Sequence, residues 1–188
     1  MKKWCNVKLY KQGKEYNYDL PLTDMAIILV DCWEKIIIEN HRNKITLMLD
    51  KMRSLGIPVI HASYVYESGI EINEMDIVLH DRYCSIKDMP KYLFYAGYEI
   101  DKCLLGREVG IPYAKYENKI PILIKDLTES INEYSDISSH LMKIAAIHII
   151  EHCYGFTTTF EDVMNALNHV VTTTTKRTVI EMGKVLVR

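Results

Sequence analysis

Four short apolar runs constrain the fold of this chain more than any other feature of its sequence. They span Ala26–Val30, Ile57–Ala62, Tyr92–Ala96 and Ile120–Lys125. Continuous apolar runs of this length are typical of parallel strands that helices cover on both faces. Helical patterns separate the runs, and such an alternation favours a doubly wound, mostly parallel sheet with right-handed connections. We therefore predict an α/β fold with helices on both faces of the sheet.

The first helix and the two ends of the chain complete this prediction. Apolar residues at helical spacing from Ile45 onward predict a crossover helix that ends at Gly56, and Pro112 is expected to open a short helix. Residues 1–24 are interpreted as a lead-in strand or arm that covers an edge of the sheet. Residues from about 168 to 188 are interpreted as an edge strand or as a contact with a second subunit.

A long helix near the C-terminus carries both an apolar face and an H-x-x-E-H motif. Asp136 and Ser138 are expected to cap this helix. In the motif His148-x-x-Glu151-His152, the two histidines share one helical face, as zinc ligands do. No further ligand is evident downstream, so we favour a core or subunit contact for the motif and predict no metal. The predicted apolar face consists of Leu141, Ile144, Ala145, His148 and Ile149.

Composition bounds the class of protein and its partners. With 188 residues, 48% of them hydrophobic, the chain can bury one sizeable core, and we expect a single domain over residues 1–188. A net charge of −2 gives no basic footprint, so no nucleic acid is expected as a partner. No apolar run approaches membrane-spanning length, the N-terminus lacks a signal-peptide core, and five cysteines without a disulfide-type spacing fit a reducing compartment. We predict a cytoplasmic protein without membrane contact or cofactor, acting on a small molecule.

Two polar residues lie at or near the ends of the first two apolar runs. Ligands bind at the carboxyl ends of the strands in open α/β sheets. Asp31 directly follows the run that ends at Val30, so its carboxylate is expected at the carboxyl edge of the sheet. The alternative is that Asp31 caps the next segment. His61 lies near the end of the second run and either faces the same edge or bonds to nearby backbone.

Cys103 is the candidate nucleophile among the five cysteines. A turn is expected to start at Gly97, and Asp101 is a reasonable N-cap that puts Cys103 in the first turn of a helix. Free N–H groups and the helix dipole would lower the pKa of a thiol there, and the thiolate is the reactive species. The alternative is a small buried hydrophobic residue. The other four cysteines look structural or incidental, and Cys5 and Cys84 lie in polar, irregular sequence.

Tyrosine is abundant, with 13 residues, and several fall in loops near the predicted site. They would suit a substrate with a flat ring, or equally a subunit interface. We expect a homo-oligomer to which the C-terminal helices and tail contribute. The tyrosines near the site are Tyr64, Tyr66, Tyr83 and Tyr98.

Most of residues 22–160 resembles the isochorismatase-like cysteine hydrolases. The resemblance rests on AIILVDCWEK, GIPVIHASY, AGYEIDKCLLGREVGI and IPILIKDLTES, which contain Asp31 and Cys103. It is closest to a subgroup with a Leu-Gly-Arg type run after the cysteine, here ending at Arg107, and Arg-Asp-Leu-Thr after the next strand, here beginning at Lys125. The segment IIEHCYGFTTTFEDV also resembles the ending of that subgroup.

The resemblance implies a three-layer, Rossmann-like α/β/α sandwich and a catalytic triad of aspartate, lysine and cysteine. Asp31 would take the thiol proton, and Cys103 would attack a small amide or related C–N compound to form a covalent acyl intermediate that water releases. The backbone N–H groups of Glu99 and Cys103 would hold the oxyanion, next to a cis peptide bond between Tyr98 and Glu99.

The chain departs from the family in two places. Glu99-Ile100-Asp101 replaces a small, neutral run before the cysteine, so a carboxylate lies beside the predicted oxyanion hole. The family lysine has no match, and its replacement would be His80, Arg82 or Lys87. Loss of this cation would raise the pKa of the thiol and slow its attack. The chain is therefore either a cysteine hydrolase or a non-catalytic relative that serves as a binding or assembly module.

Overall fold

A nine-stranded sheet runs through the computed structural model, which describes residues 1–63, 67–79, 86–131 and 135–173. Its strands are β1 (Lys2–Lys11), β2 (Lys14–Pro21), β3 (Met25–Val30), β4 (Val59–Ala62), β5 (Ile77–Val78), β6 (Tyr92–Tyr98), β7 (Ile120–Glu129), β8 (Phe156–Thr158) and β9 (Val171–Thr173). The helices are α1 (Glu39–Ser54), α2 (Cys103–Gly106), α3 (Ile111–Tyr116), α4 (Asp136–Ile149) and α5 (Phe160–Asn168). A 3-10 turn (Leu22–Asp24) precedes β3, and a π-helical turn (Ile150–Tyr154) extends α4.

The order of the strands is β2-β1-β8-β7-β6-β3-β4-β5, and β9 also pairs with β1. The strands from β8 to β5 are mutually parallel, so the predicted mostly parallel sheet is confirmed. The chain winds outward from β3 through β4 to β5, returns to β6 on the other side of β3, and continues to β7 and β8. The winding direction therefore reverses between β3 and β6, where open α/β sheets bind ligands.

The two ends of the described chain lie on the antiparallel side of the sheet. β1 and β2 form an antiparallel hairpin at the edge, which confirms that residues 1–24 cover an edge. Val171–Thr173 pairs with the start of β1, as expected for an edge strand, and residues 174–188 lie outside the described part of the chain.

Two hydrophobic cores cover the two faces of the sheet. Side chains of a strand point alternately to opposite faces, so Ile27 and Leu29 of β3 pack with α1 and α5, whereas Ala26 and Ile28 pack with α2, α3 and α4. Helices thus lie on both faces, and the three-layer α/β/α prediction is confirmed. None of the helices in the described ranges is both long and apolar enough to cross a membrane.

Gly97 continues β6 and starts no turn, so that prediction is wrong. Its φ is +121°, and a Cβ atom at this position would lie 2.0 Å from the carbonyl oxygen of Val30. A side chain here would force β6 away from β3. The glycine is therefore required by close approach of two backbones, which places the ends of these strands side by side.

Helix capping differs from the predictions, and the predicted apolar face of α4 is exposed. Ser135, and not Asp136 or Ser138, caps α4, because its Oγ accepts a hydrogen bond from the Ser138 N–H at 3.1 Å. Lys102 lies at the N-cap of α2 and provides no side-chain bond, so Asp101 is not the cap. Of the two contacts predicted for the apolar face of α4, the core contact is wrong and the subunit contact stays a prediction. Only Ala146 is buried within the helix, whereas the large apolar side chains exposed by more than 40% are Ile137, Leu141, Met142, Ile144 and Ile149.

Replacement of Gly97 by alanine should destabilise the protein strongly. The new Cβ would overlap the Val30 carbonyl, and the backbone conformation disfavours an L side chain, so we expect a loss of at least about 3 kcal/mol in the free energy of unfolding. Urea denaturation measures this loss. Gly106→Ala is the matched control, because a Cβ atom added there would meet nothing within 4 Å and the φ of Gly106 is not left-handed. Equal stability of the two variants would contradict the close-approach explanation.

Candidate active site

Asp31 and Cys103 meet at the carboxyl edge of the sheet. Val30 and Gly97 are neighbours in the parallel pairing of β3 and β6, so the residues that follow them leave the sheet side by side. The Asp31 carboxylate lies near enough to the Cys103 thiol to raise the pKa of that thiol. Asp31 is buried, whereas Cys103 is partly accessible. A carboxylate that faces a thiol is an arrangement in which a proton can pass from sulfur to oxygen.

The backbone around Asp31 explains how its side chain reaches this position. Asp31 has a φ of +48°, in the left-handed region that aspartate tolerates better than most residues. Its N–H donates to the carbonyl of Ala62 at 3.3 Å, and its carbonyl accepts from the Trp33 N–H at 2.8 Å. The next helix, α1, has Ile38 at its N-cap, so Asp31 does not cap it. The left-handed turn instead directs the carboxylate toward the end of β6.

Arg107 forms an ion pair with Asp31 that the sequence analysis did not predict. Its Nη1 donates to Oδ1 at 2.8 Å, and its Nη2 lies 2.7 Å from Oδ2. The guanidinium therefore faces both oxygens of a carboxylate that is 1% exposed, which is a geometry that lysine cannot reproduce. The signal was in the sequence, because Arg107 follows Cys103 by four residues and a helical turn brings such positions to the same side.

The predicted replacements for the family lysine do not include Arg107. His80 and Arg82 lie outside the described residues. The side chain of Lys87 is exposed, and its carbonyl oxygen accepts a hydrogen bond from the Lys119 ammonium at 2.6 Å. The cation that contacts Asp31 is Arg107, which directly follows α2, and not a residue that precedes β6.

Glu99 contributes backbone groups on both sides of Cys103. The Tyr98–Glu99 peptide bond is cis, as predicted. The Glu99 carbonyl accepts the Cys103 N–H at 2.8 Å, and the Glu99 backbone N–H lowers the pKa of the Cys103 thiol. The carboxylate of Glu99 pairs with Lys102 at 3.0 Å, which neutralises the charge that the sequence analysis placed beside the oxyanion hole. The oxyanion hole itself stays a prediction, and one of its two donors is bonded to the Glu99 carbonyl in this structure.

The pKa of Cys103 is raised, so the predicted lowering is wrong. Burial first, and then the hydrogen bond to Asp31, raise the pKa of the thiol to about 11, against smaller lowering effects of the Glu99 N–H and Arg107. The helix that was expected to favour the thiolate, α2, has only four residues, so its dipole is small. Burial also raises the pKa of Asp31, although the thiol and Arg107 oppose this effect. Cys103 is consequently a thiol at neutral pH.

His61 and Tyr98 belong to buried networks instead of lining the site. His61 Nε2 lies 2.9 Å from an Asp76 carboxylate oxygen, which also binds Arg53 at 2.6 Å, so neither predicted role of His61 is correct. Tyr98 lies in β6, fully buried, with its hydroxyl 2.8 Å from His41 Nδ1. These contacts tie α1 to the sheet. The other tyrosines predicted near the site, Tyr64, Tyr66 and Tyr83, lie outside the described residues.

The H-x-x-E-H motif of the last long helix does not converge on a common point. His152 Nδ1 contacts the carbonyl of His148 at 2.9 Å, whereas the carboxylate of Glu151 accepts a hydrogen bond from Thr157 at 2.7 Å. Within the described ranges, no group of three His, Cys, Asp or Glu residues could hold a metal ion.

The remaining described cysteines lack the setting of Cys103. Cys5 and Cys32 are buried, and burial raises the pKa of each thiol to about 12. Cys5 lies in β1 and packs in the core, although its sequence context suggested an irregular segment. Cys153 is exposed. Cys84 lies outside the described residues.

Comparison with solved structures identifies the fold. A cysteine hydrolase from Pseudomonas syringae pv. phaseolicola 1448A matches with a TM-score of 0.65 and 12% identity, over 79% of this chain and 94% of the other. An isochorismatase from Pseudomonas putida KT2440 gives 0.58 and 14%, over 74% and 90%. The MAR1 ribonuclease from Caenorhabditis elegans gives 0.60 and 17%, over 77% and 81%. No protein-family model and no curated protein matches the chain. The chain has the isochorismatase-like fold.

Alkylation of Cys103 should depend steeply on pH. Because the pKa of the thiol is about 11, we expect the rate with iodoacetamide to rise about tenfold per pH unit from pH 7 upward and to level off near pH 11. Asp31→Asn removes the anion that raises the pKa of the thiol, so the profile should shift to lower pH. Peptide mass mapping reports the rate at Cys103, with Cys153 as the internal control. A profile that is unchanged by Asp31→Asn would contradict the observed contact.

Proposed function

We propose that this protein is a cysteine hydrolase that cleaves a C–N bond of a small amide, with Cys103 as the nucleophile and Asp31 as the base. The observation that supports this proposal most directly is that the Cys103 thiol and the buried Asp31 carboxylate come together at the switch point of the sheet, where β3 and β6 end side by side. The isochorismatase-like fold adds to this support, since a solved structure that shares the fold is a cysteine hydrolase.

The reaction begins with transfer of the thiol proton to Asp31. The thiolate then attacks the amide carbonyl carbon, a C–S bond forms, and the π electrons of the carbonyl move to its oxygen. When the tetrahedral intermediate collapses, the C–N bond breaks and the nitrogen takes the proton from Asp31, so an amine leaves. Water attacks the acyl-cysteine and gives its proton to Asp31. Collapse of this second intermediate releases a carboxylic acid and returns the proton to the Cys103 sulfur.

Arg107 supplies the positive charge that the resemblance assigns to a lysine. Its two contacts with Asp31 hold the carboxylate in a fixed orientation and favour the ionised form of that carboxylate. The same charge favours the Cys103 thiolate, although burial and Asp31 have larger, opposite effects. Together with the Glu99 N–H, Arg107 offsets part of the cost of forming a thiolate beside an anion. Arg107 thus acts as a positioning residue.

The second candidate function is a non-catalytic binding or assembly module. Two observations favour it: the pKa of Cys103 is about 11, and Arg107 contacts both oxygens of the carboxylate that must accept the proton. The fold alone does not decide between the candidates, because it occurs in proteins named hydrolase, isochorismatase and ribonuclease. The net charge of −2 argues against a nucleic-acid substrate for this chain.

Hydrolysis of a panel of small primary and N-substituted amides, followed by amine or ammonia release, separates these candidates. We expect Asp31→Asn and Arg107→Gln each to lower kcat/KM by about 100-fold, because each removes a charge that the proton transfer requires. Arg107→Lys should recover part of the loss, since it keeps the charge but not the two-point contact. Lys8→Gln is the control, because Lys8 pairs with Glu15 within the β1–β2 hairpin, which β7 and β8 separate from β6 in the sheet. Amide turnover that survives Cys103→Ala would contradict the hydrolase proposal.

The exposed apolar face of α4 supports a homo-oligomer. Five large apolar side chains of this helix are more than 40% exposed, and a patch of this kind is typical of a subunit contact. A second copy of the chain is the partner that we propose.

Leu141→Asp should therefore lower the molar mass in solution toward that of a monomer. A charge at the centre of an apolar contact is costly to bury, so association should weaken by at least about tenfold. Light scattering after size-exclusion chromatography measures the mass. Leu47→Asp on α1 is the control, because Leu47 is similarly exposed, at 57% against 60% for Leu141. A wild-type monomer, or equal masses of both variants, would contradict the proposed contact.

A further inference from the structure

A cleft lies at the edge of the sheet opposite to Asp31 and Cys103. Ile120 begins β7 and Phe156 begins β8, and both line this cleft together with Lys11 at the end of the antiparallel strand β1. Since a strand rises about 3.3 Å per residue, the length of β6 separates the two edges by roughly 20 Å. The cleft has a volume of about 280 Å³, which approaches that of small-molecule binding sites.

Three aromatic rings form one wall of this cleft. Tyr16 and Tyr18 lie two residues apart on β2 and therefore on the same face of the strand, with ring centroids 6.0 Å apart and planes inclined by 22°. Phe156 meets both rings edge-on, with centroid distances of 6.3 and 5.6 Å. Phe156 is buried, whereas both tyrosines are partly accessible. The wall is therefore rigid and offers ring surface to a ligand.

Two ammonium groups, those of Lys11 and Lys115, border the same wall. Lys11 Nζ lies 5.1 Å from the centroid of the Phe156 ring. Among the described residues, neither Lys11 nor Lys115 forms an ion pair with a carboxylate. Burial and the charge of Lys115 lower the pKa of Lys11, so the two cations repel each other across the cleft. Lys119 differs from them, because its ammonium donates to the carbonyls of Lys87 and Met89.

We propose that this cleft binds a small aromatic anion, a planar ring that carries a phosphate or a carboxylate. The ring would stack on Tyr16 and Tyr18, and the anionic group would lie between Lys11 and Lys115, where it would relieve their mutual repulsion. The site is independent of the proposed hydrolase chemistry, because it shares no residue with the Asp31–Cys103 edge. The ligand is a single small molecule and not a nucleic-acid strand, because the cations surround one cleft and the chain has a net charge of −2.

Binding measurements with four probes test which part of the ligand the cleft recognises. The probes are adenosine monophosphate, 4-hydroxybenzoate, adenosine alone and inorganic phosphate, titrated by isothermal calorimetry at low and moderate salt. We expect at least one of the two aromatic anions to bind at least about tenfold more tightly than adenosine and inorganic phosphate, with an affinity that falls as salt increases. The tighter of the two aromatic anions distinguishes phosphate from carboxylate recognition.

Variants locate the binding to this cleft. Lys11→Gln, Lys115→Gln and Tyr16→Leu should each weaken the better aromatic anion by at least about fivefold, while Lys3→Gln, at the far end of the same strand as Lys11, should leave it unchanged. Cys103→Ala should also leave binding unchanged, so that failure here and failure of the hydrolase proposal are separate results. The proposal would be overturned if neither aromatic anion bound, or if inorganic phosphate bound as tightly as the better aromatic anion. It would also be overturned if a single-stranded oligonucleotide bound more tightly than the mononucleotide, or if both lysine variants left the affinity unchanged.

Discussion

The close approach of β3 and β6 at Val30 and Gly97 is the constraint on which the candidate active site depends. A Cβ atom on residue 97 would lie 2.0 Å from the Val30 carbonyl, so only glycine lets the two backbones pair in parallel to their carboxyl ends. One strand then continues into Asp31 and the other into Glu99 and the turn that carries Cys103. The winding direction reverses at this pair, which is where ligands bind in open α/β sheets. Residues far apart in sequence therefore meet.

At this edge of the sheet, groups that favour the Cys103 thiolate oppose groups that disfavour it. Burial and the neighbouring carboxylate disfavour the thiolate, whereas Arg107 and the Glu99 N–H favour it. Arg107 also contacts both oxygens of the carboxylate that must accept the thiol proton. Asp31 can therefore serve either as the base for Cys103 or as the partner of Arg107 in a structural ion pair. A substrate that drew Arg107 away from the Asp31 carboxylate would make that carboxylate a stronger base toward the thiol proton.

The sequence predicted the scaffold well because its signals are local. Continuous apolar runs located β3, β4, β6 and β7, since burial on both faces requires such runs. Features set by tertiary contacts were missed. Gly97 suggested a turn because its close contact with Val30 involves residues far apart in sequence. The sequence left the apolar face of α4 open between a core and a subunit contact, because an apolar helix does not reveal which side is covered. The raised pKa of Cys103 follows from burial, which helix position alone does not report.

The contribution of Arg107 was the largest omission at the site, and it has a physical cause. The predicted cations came from the segment before β6, where the family resemblance places its lysine, and the spacing of Cys103 and Arg107 was interpreted only as a motif. A guanidinium can reach an aspartate from another strand because its side chain is long and its fork matches both carboxylate oxygens. A cation can thus reach Asp31 from an element of the fold other than the one that the resemblance indicated.

The most direct test of the proposed covalent acyl intermediate on Cys103 is to mix the protein with p-nitrophenyl acetate, quench rapidly with acid, and locate the acetyl group by peptide mass mapping. Selective acetylation of Cys103 in the wild-type protein, strongly reduced in Asp31→Asn and followed by hydrolytic recovery of the free thiol, is the predicted result. Acetylation at Cys153 and surface lysines alone, with Cys103 unmodified, would contradict the claim.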